Sequence, residues 1–179
     1  DIVLVGEMRD NETFHAALHA AETGHLVYGT IHASSTTQCF SRIYGLFEQE
    51  EVEQVRKILA YQMRAFVYQK LLPTLHPEIP RIPGLEILVN NSVVRKFILE
   101  AREGELREYL KSVEARQTGM IDFNMSLVKL VEEGDDLVAR LLVEVAGRLV
   151  GQQERRLVGE GPGYGGALAL AAGELRRPV

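Results

Sequence analysis

The chain has 179 residues, 46% of them apolar and 25% charged, with a net charge of −5. That is enough for one ordinary domain with its own core, and it supplies no global basic field for nucleic acid or an anionic membrane. The single cysteine, Cys39, excludes a disulfide framework or a cysteine-based zinc site within one chain and fits a reducing compartment; no apolar run reaches the ~18 residues needed to span a bilayer.

The opening run Ile2-Val3-Leu4-Val5, stopped by Gly6, predicts a strand buried on both faces of a parallel sheet. It starts without a Met or a basic n-region, which reads as a chain cut within a larger protein rather than a signal peptide. Residues 11–22 predict a helix capped by Asn11, with Phe14, Ala17, Leu18 and Ala21 on one face and Thr23-Gly24 as its end. Leu26 to His32 predicts a second apolar strand, and a helix follows to about Gly45, with Ser34 or Ser35 as its cap. This strand–helix–strand–helix order implies a doubly wound α/β sheet whose ligands gather at the carboxyl ends of the strands. Glu7 and His32 stand at those two ends, where an ordinary solvated loop residue is the competing reading.

Residues 48–67 predict a long amphipathic helix with Val52, Val55, Leu59, Met63 and Phe66 on one stripe. Gln69 to Leu72 and Gly84 to Val89 predict two strands around a turn rich in proline, with Pro73, Pro77, Pro80 and Pro83. Apolar spacing near 3.6 then predicts helices over 91–102, 105–115, 122–133 and 135–150. From Gly151 the chain is rich in Gly, Arg and Glu, the composition of a disordered tail. The expected organisation is a partial α/β core over 1–89, a helical region over 90–150 and the tail over 151–179.

Two segments carry the chemistry. A buried strand that delivers a carboxylate to its tip has the form of a Walker B segment, and such a carboxylate can orient and polarise an attacking water. Gly6 leaves Glu7 as that carboxylate. In Thr23-Gly24-His25-Leu26-Val27-Tyr28-Gly29-Thr30-Ile31-His32, two histidines bracket a strand, and His32 at the far end could hydrogen-bond a γ-phosphate oxygen. A lone histidine is more often a satisfied structural residue. A metal-dependent hydrolase using His15, His19, His25 and His32 lacks the glutamate that a zincin needs beside its first histidine, where Ala16 stands.

Together, Val5-Gly6-Glu7-Met8-Arg9-Asp10 and Ala21-Glu22-Thr23-Gly24-His25 through His32 resemble the Walker B and His boxes of the secretion-ATPase superfamily, which includes the type II secretion and type IV pilus motors. The resemblance implies a RecA-like P-loop fold: an incomplete α/β core with a mostly parallel sheet and helices on both faces, followed by a helical region. It implies that Glu7 activates water as the catalytic residue, and that His32, His25 and Arg9 belong to the nucleotide-binding set. Assembly and secretion motors usually carry a four-cysteine zinc module, and only Cys39 is present, so the chain is most similar to the PilT-type retraction branch. Gln69-Lys70-Leu71-Leu72-Pro73 and Leu85-Glu86-Ile87-Leu88-Val89 resemble that branch's paired strands, and Gly119 to Leu127 resembles a later helix start. Ser92-Val93-Val94-Arg95-Lys96-Phe97-Ile98-Leu99-Glu100 resembles its retraction motif at Val94, Arg95, Ile98 and Glu100, while Lys96 and Leu99 depart from it. The likeness spans residues 1–134.

None of the five lysines follows a glycine-rich turn, so a phosphate-binding loop, with its amide cradle and its Mg²⁺-holding hydroxyl, is missing from these residues. The resemblance places that loop upstream. It implies a parent hexamer that binds ATP and Mg²⁺ and drives pilus retraction at the cytoplasmic face of the bacterial inner membrane, against a membrane platform protein, with the fragment alone inactive. The alternatives are a non-catalytic module that docks onto an intact motor, and a secretion or assembly ATPase.

Overall fold

The computed structural model describes residues 1–73, 80–133 and 167–172. Strand β1 (Ile2–Val5) leads through a short turn into α1 (Asn11–Glu22). The cap of α1 is Asp10 rather than Asn11: Asp10 keeps an extended backbone and accepts the Thr13 amide at 2.8 Å, whereas Asn11 already lies in the helix. The expected face of Phe14, Ala17, Leu18 and Ala21 is the buried one. Gly24, at φ 95°, turns the chain back into β2 (Leu26–Ile31). Ser35 caps α2 (Thr36–Tyr44) by accepting the Gln38 amide.

Helix α3 (Gln49–Gln62) starts on a reciprocal Glu48–Glu51 capping box and stops earlier than its apolar stripe predicts. Residues Met63–Pro73 form strand β3, so Met63 and Phe66 belong to the sheet rather than to the helix. The stripe misleads because a helix repeat and a buried strand overlap in short apolar runs. The Asn90 side-chain amide donates to the Ala60 and Met63 carbonyls at 3.0 and 2.7 Å, and the Arg95 Nε donates to Ala60 at 3.0 Å. These bonds satisfy the carbonyls that the helix end leaves open. Strand β4 (Arg81–Val89) then pairs antiparallel with β3 from Pro73–Arg81 to Ala65–Val89.

A helical region follows: α4 (Ser92–Leu99), a single 3₁₀ turn (Glu103–Glu105), α5 (Leu106–Leu110), α6 (Val113–Gln117) and α7 (Phe123–Glu133). The helix expected over 105–115 is broken in two at Ser112, whose hydroxyl accepts the Ala115 amide and starts α6 afresh. The helix expected over 135–150 lies outside the described residues.

Within the stretch read as a tail, six residues are described. Residues Ala167–Ala172 form β5, paired antiparallel with both β2 and β3, in a sheet of order β1-β2-β5-β3-β4. An apolar six-residue run can offer backbone hydrogen bonds on both edges, which composition averaged over the glycine-rich tail conceals. The rest of that tail lies outside the described residues. β1, β2 and β3 share one direction, while β4 and β5 oppose it.

β1 is not buried on both faces as its apolar run predicts. It pairs only with β2 among the described residues, and Ile2 and Leu4 are 55% and 73% exposed while Val3 and Val5 face the core. The large core lies on one side of the sheet. Phe66 and Leu88 meet α1, α2 and α3 there, and the same cluster continues through Val94, Ile98, Leu106, Leu110 and Ala115. The opposite side carries a smaller cluster, Val67, Leu85, Ile87 and Ile121, against Met125 of α7. Alternation along β3 and β4 thus sends successive side chains to two cores, with helices on both faces.

Candidate active site

The site sits where β1 and β2 end together. The two strands are parallel, with Val5 opposite Gly29, so the residues after each strand leave the sheet side by side. The ladder continues past β1: the Met8 amide donates to the Thr30 carbonyl at 2.9 Å, and the Thr30 hydroxyl donates to the Gly6 carbonyl. Met8 points inward and is 6% exposed. It lies directly over Gly29, where an added Cβ would come within 2.6 Å of the Met8 methyl. Burying Met8 turns its neighbours Glu7 and Arg9 outward to the strand tip.

Glu7 Oε1 lies 3.1 Å from His32 Nε2, and Glu7 Oε2 lies 2.5 Å from Arg9 Nη2. The Glu7 side chain is a quarter exposed, against 64% for His32 and 75% for Arg9. Solvent therefore reaches the cluster, and Glu7 is its most sheltered member. The Arg9 hydrogen bond holds the Glu7 carboxyl below the usual carboxylate range, helped by the charges of Arg9 and His32 and opposed by partial desolvation. Glu7 is thus an ionised carboxylate with one oxygen on a cation and the other on an imidazole.

A cleft of about 660 Å³ opens beside His32, lined by Ala33, Ser34, Gln38, Ser41 and Arg42 as well. Gln38, Ser41 and Arg42 lie three and four residues apart on one face of α2. Helical periodicity alone does not distinguish that face from any solvated one, so nothing in the sequence marks it as cleft wall.

Of the residues the sequence points to, Glu7, Arg9 and His32 come together and His25 does not. His25 precedes β2 at its opposite end, about 23 Å along the strand. Its Nδ1 lies 3.1 Å from the Ala20 carbonyl and 3.2 Å from the Thr23 hydroxyl, which secures the turn after α1. Among the described residues no group of three or more His, Cys, Asp or Glu gathers as a metal set. His15 instead packs edge-on to Phe47 at 5.0 Å and faces Glu51 at 3.7 Å.

The motif residues of α4 lie away from this site. Val94 and Ile98 are fully buried. Arg95 binds the end of α3 and stacks over Tyr61 at 5.6 Å. Glu100 accepts from Arg102 at 2.8 Å and lies 3.9 Å from Lys96.

Residues 1–120 match the family model described as type II/IV secretion system protein. The chain is 41% identical over 134 residues to a twitching motility protein of Neisseria gonorrhoeae, covering 75% of this chain and 35% of that protein. It is 35% identical over 134 residues to the type IV pilus retraction ATPase PilT of Pseudomonas aeruginosa, covering 75% of this chain and 38% of the relative. The chain therefore spans well under half the length of these relatives. Among solved structures, the pilus retraction motor PilT with bound ADP superposes with a TM-score of 0.63 at 35% identity, over 75% of this chain and 36% of the other. The ATPase DotB of Legionella pneumophila follows at 0.52 and 29%, over 73% and 38%.

Proposed function

The chain belongs to the type II/IV secretion system protein family, and on that premise we propose that it is the C-terminal part of a hexameric ATPase motor that drives type IV pilus retraction. The observation that carries the reading is the pairing of Glu7 with His32 across the tips of two parallel strands, 3.1 Å apart. Its support is the identity to a twitching motility protein and to a pilus retraction ATPase over three quarters of the chain.

In this reading Glu7 is the catalytic carboxylate. Held ionised by Arg9, it accepts a hydrogen bond from the attacking water and orients it toward the γ-phosphate. His32 lies beside it, exposed on the cleft, and donates to a γ-phosphate oxygen, so loss of that phosphate changes what Glu7 faces. Arg9 sets the charge of Glu7 and is free at its outer edge to meet nucleotide. His25 fixes the start of the His-box strand and serves nucleotide only through that strand. Mg²⁺, when bound, supplies charge neutralisation at the phosphates. Among the described residues no group of three or more His, Cys, Asp or Glu gathers around Glu7, so these residues do not hold the ion by themselves. The grip on Mg²⁺ and phosphates belongs to a loop outside these residues.

The same reading assigns Val94, Arg95, Ile98 and Glu100 to the motor element that transmits the nucleotide state. It places the parent hexamer at the inner face of the bacterial inner membrane, against a platform protein. Among the described residues no helix is long and apolar enough to cross a membrane.

In the full-length protein containing this segment, Glu7→Gln is expected to abolish ATP turnover while ATP still binds, because the amide keeps the shape of the carboxylate but loses its basicity. Steady-state turnover and nucleotide titration of the variant check this; turnover at the unaltered rate sinks the assignment. The 179-residue chain alone, lacking the phosphate loop, is expected to show no useful turnover. Docking of this chain onto an intact motor, with no hydrolysis traceable to Glu7 in any longer form, would favour the non-catalytic module instead.

A further inference from the structure

Glu86 of β4 makes a contact that the mechanism above does not use. The strand carries it half-buried to the first turn of α2, fifty residues away in sequence. There one carboxylate oxygen, Oε1, accepts both the Thr36 amide at 2.8 Å and the Thr36 hydroxyl at 2.6 Å. Thr36 is completely buried. The first turn of a helix presents unpaired amides and a positive dipole end, so a carboxylate there is held by charge-assisted bonds. Ser35 already caps the turn locally through the Gln38 amide. Glu86 adds the tertiary restraint, fixing where in space α2 begins.

That position matters because α2 begins four residues after His32. The intervening turn, Ala33-Ser34-Ser35, is tied to α2 by the Ser34 hydroxyl, which donates to Gln38, and by the Ser35 cap. Among the described residues the one ion-pair partner of the His32 imidazole is Glu7. The aim of His32 therefore follows the start of α2, and the start of α2 follows Glu86. We infer that Glu86 is a positioning residue for hydrolysis: it acts through Thr36 and the His32–Ser35 turn to hold His32 against Glu7 and the γ-phosphate.

This inference rests on the ATPase reading, and its test separates the two. In the full-length protein, Glu86→Ala is expected to lower kcat about tenfold, the scale on which small misplacements of a reacting group act. Nucleotide affinity should stay within about twofold, because the phosphate grip lies elsewhere. Glu86→Gln, which keeps an acceptor oxygen at the same reach, is expected to recover most of kcat. Glu86→Asp keeps the charge but falls short of Thr36 by one methylene and is expected to behave like Glu86→Ala. A merely structural role would lower the melting temperature and the yield of folded protein without moving kcat per folded molecule. A folded Glu86→Ala, or a folded Glu86→Asp where the alanine variant does not fold, with kcat within twofold of the unaltered protein overturns the inference. Turnover that survives Glu7→Gln, or its absence in the unaltered protein, overturns the functional reading and this inference with it.

Discussion

Glu7 owes its character to its neighbours more than to burial. Arg9 donates to it across two residues, and this is the largest influence on its proton affinity. The folded value lies below the ordinary one, so Glu7 stays ionised further into acid than a free carboxylate, and a rate that needs its basicity persists there. Arg9→Ala removes the hydrogen bond and the charge together. The acid limb of kcat/KM against pH is then expected to move upward in pH, and a pH-rate profile of the variant reads this directly. An unmoved limb would mean that Glu7 is not the group titrating. Cys39 shows the opposite influence. Burial, followed by the nearby Glu86 charge, pushes its thiol up to about 12. The thiol is therefore neutral and enclosed at physiological pH, and native protein is expected to resist iodoacetamide until it is unfolded.

At the scale of elements, a partly buried cluster ties α2 and α3 to the turn after α4. The Tyr44 hydroxyl donates to Glu103 Oε1 at 2.6 Å, and Arg56 Nε donates to the same oxygen at 3.1 Å. Arg56 also stacks 4.9 Å above the Tyr44 ring. Burial, and then the Glu103 carboxylate, raise the phenol's pKa, so it stays a donor throughout the physiological range. Arg56 and Glu103 are only 20% and 12% exposed, so water replaces little of what is lost when one partner goes. Glu103→Ala is expected to cost about 3 kcal/mol of stability by stranding Arg56. Tyr44→Phe, which removes only the hydroxyl, is expected to cost about 1 kcal/mol. Urea denaturation of the two variants checks the order. The α4 motif has the same division of labour: Val94 and Ile98 fill the core, while Arg95, with Asn90 just before the helix, closes the end of α3.

For the whole molecule, the sheet is continuous because β5 lies between β2 and β3, which do not pair with each other. Ala169 stands opposite Gly29 on one side and Phe66 on the other. Ala169→Pro removes its amide from the ladder and destabilises the sheet. Amide hydrogen exchange is expected to quicken along β2 and β3 together. Unchanged protection there would show that the sheet does not depend on the β5 ladders. The large core also runs without a break from α1 to α6, so the helical region after β4 shares its burial with the strands that precede it.

Local chemistry decided much of this protein in advance. The β1 tip, the α1 face, a serine cap at Ser34 or Ser35 and the placing of Glu7 and His32 at neighbouring strand ends all follow from apolar periodicity, capping preference and the adjacency of parallel strand ends, which are short-range rules written in consecutive residues. The 62/63 boundary between α3 and β3 was not legible, because Met63 and Phe66 satisfy a helix repeat and reach the same core in the strand only across an irregularity in its pairing at Met63/Ala65, and Asn90 and Arg95 settle the matter from a distance. Nor was the exposed edge of β1, since an apolar run reports hydrophobicity and not which neighbours arrive to cover it. The separation of His25 from His32, by contrast, was legible, because the strand expected between them is the one that forms. Glu86 was the least legible of all: its role lies in reaching Thr36 fifty positions earlier, and only tertiary folding brings a carboxylate from one strand to the first turn of another element's helix.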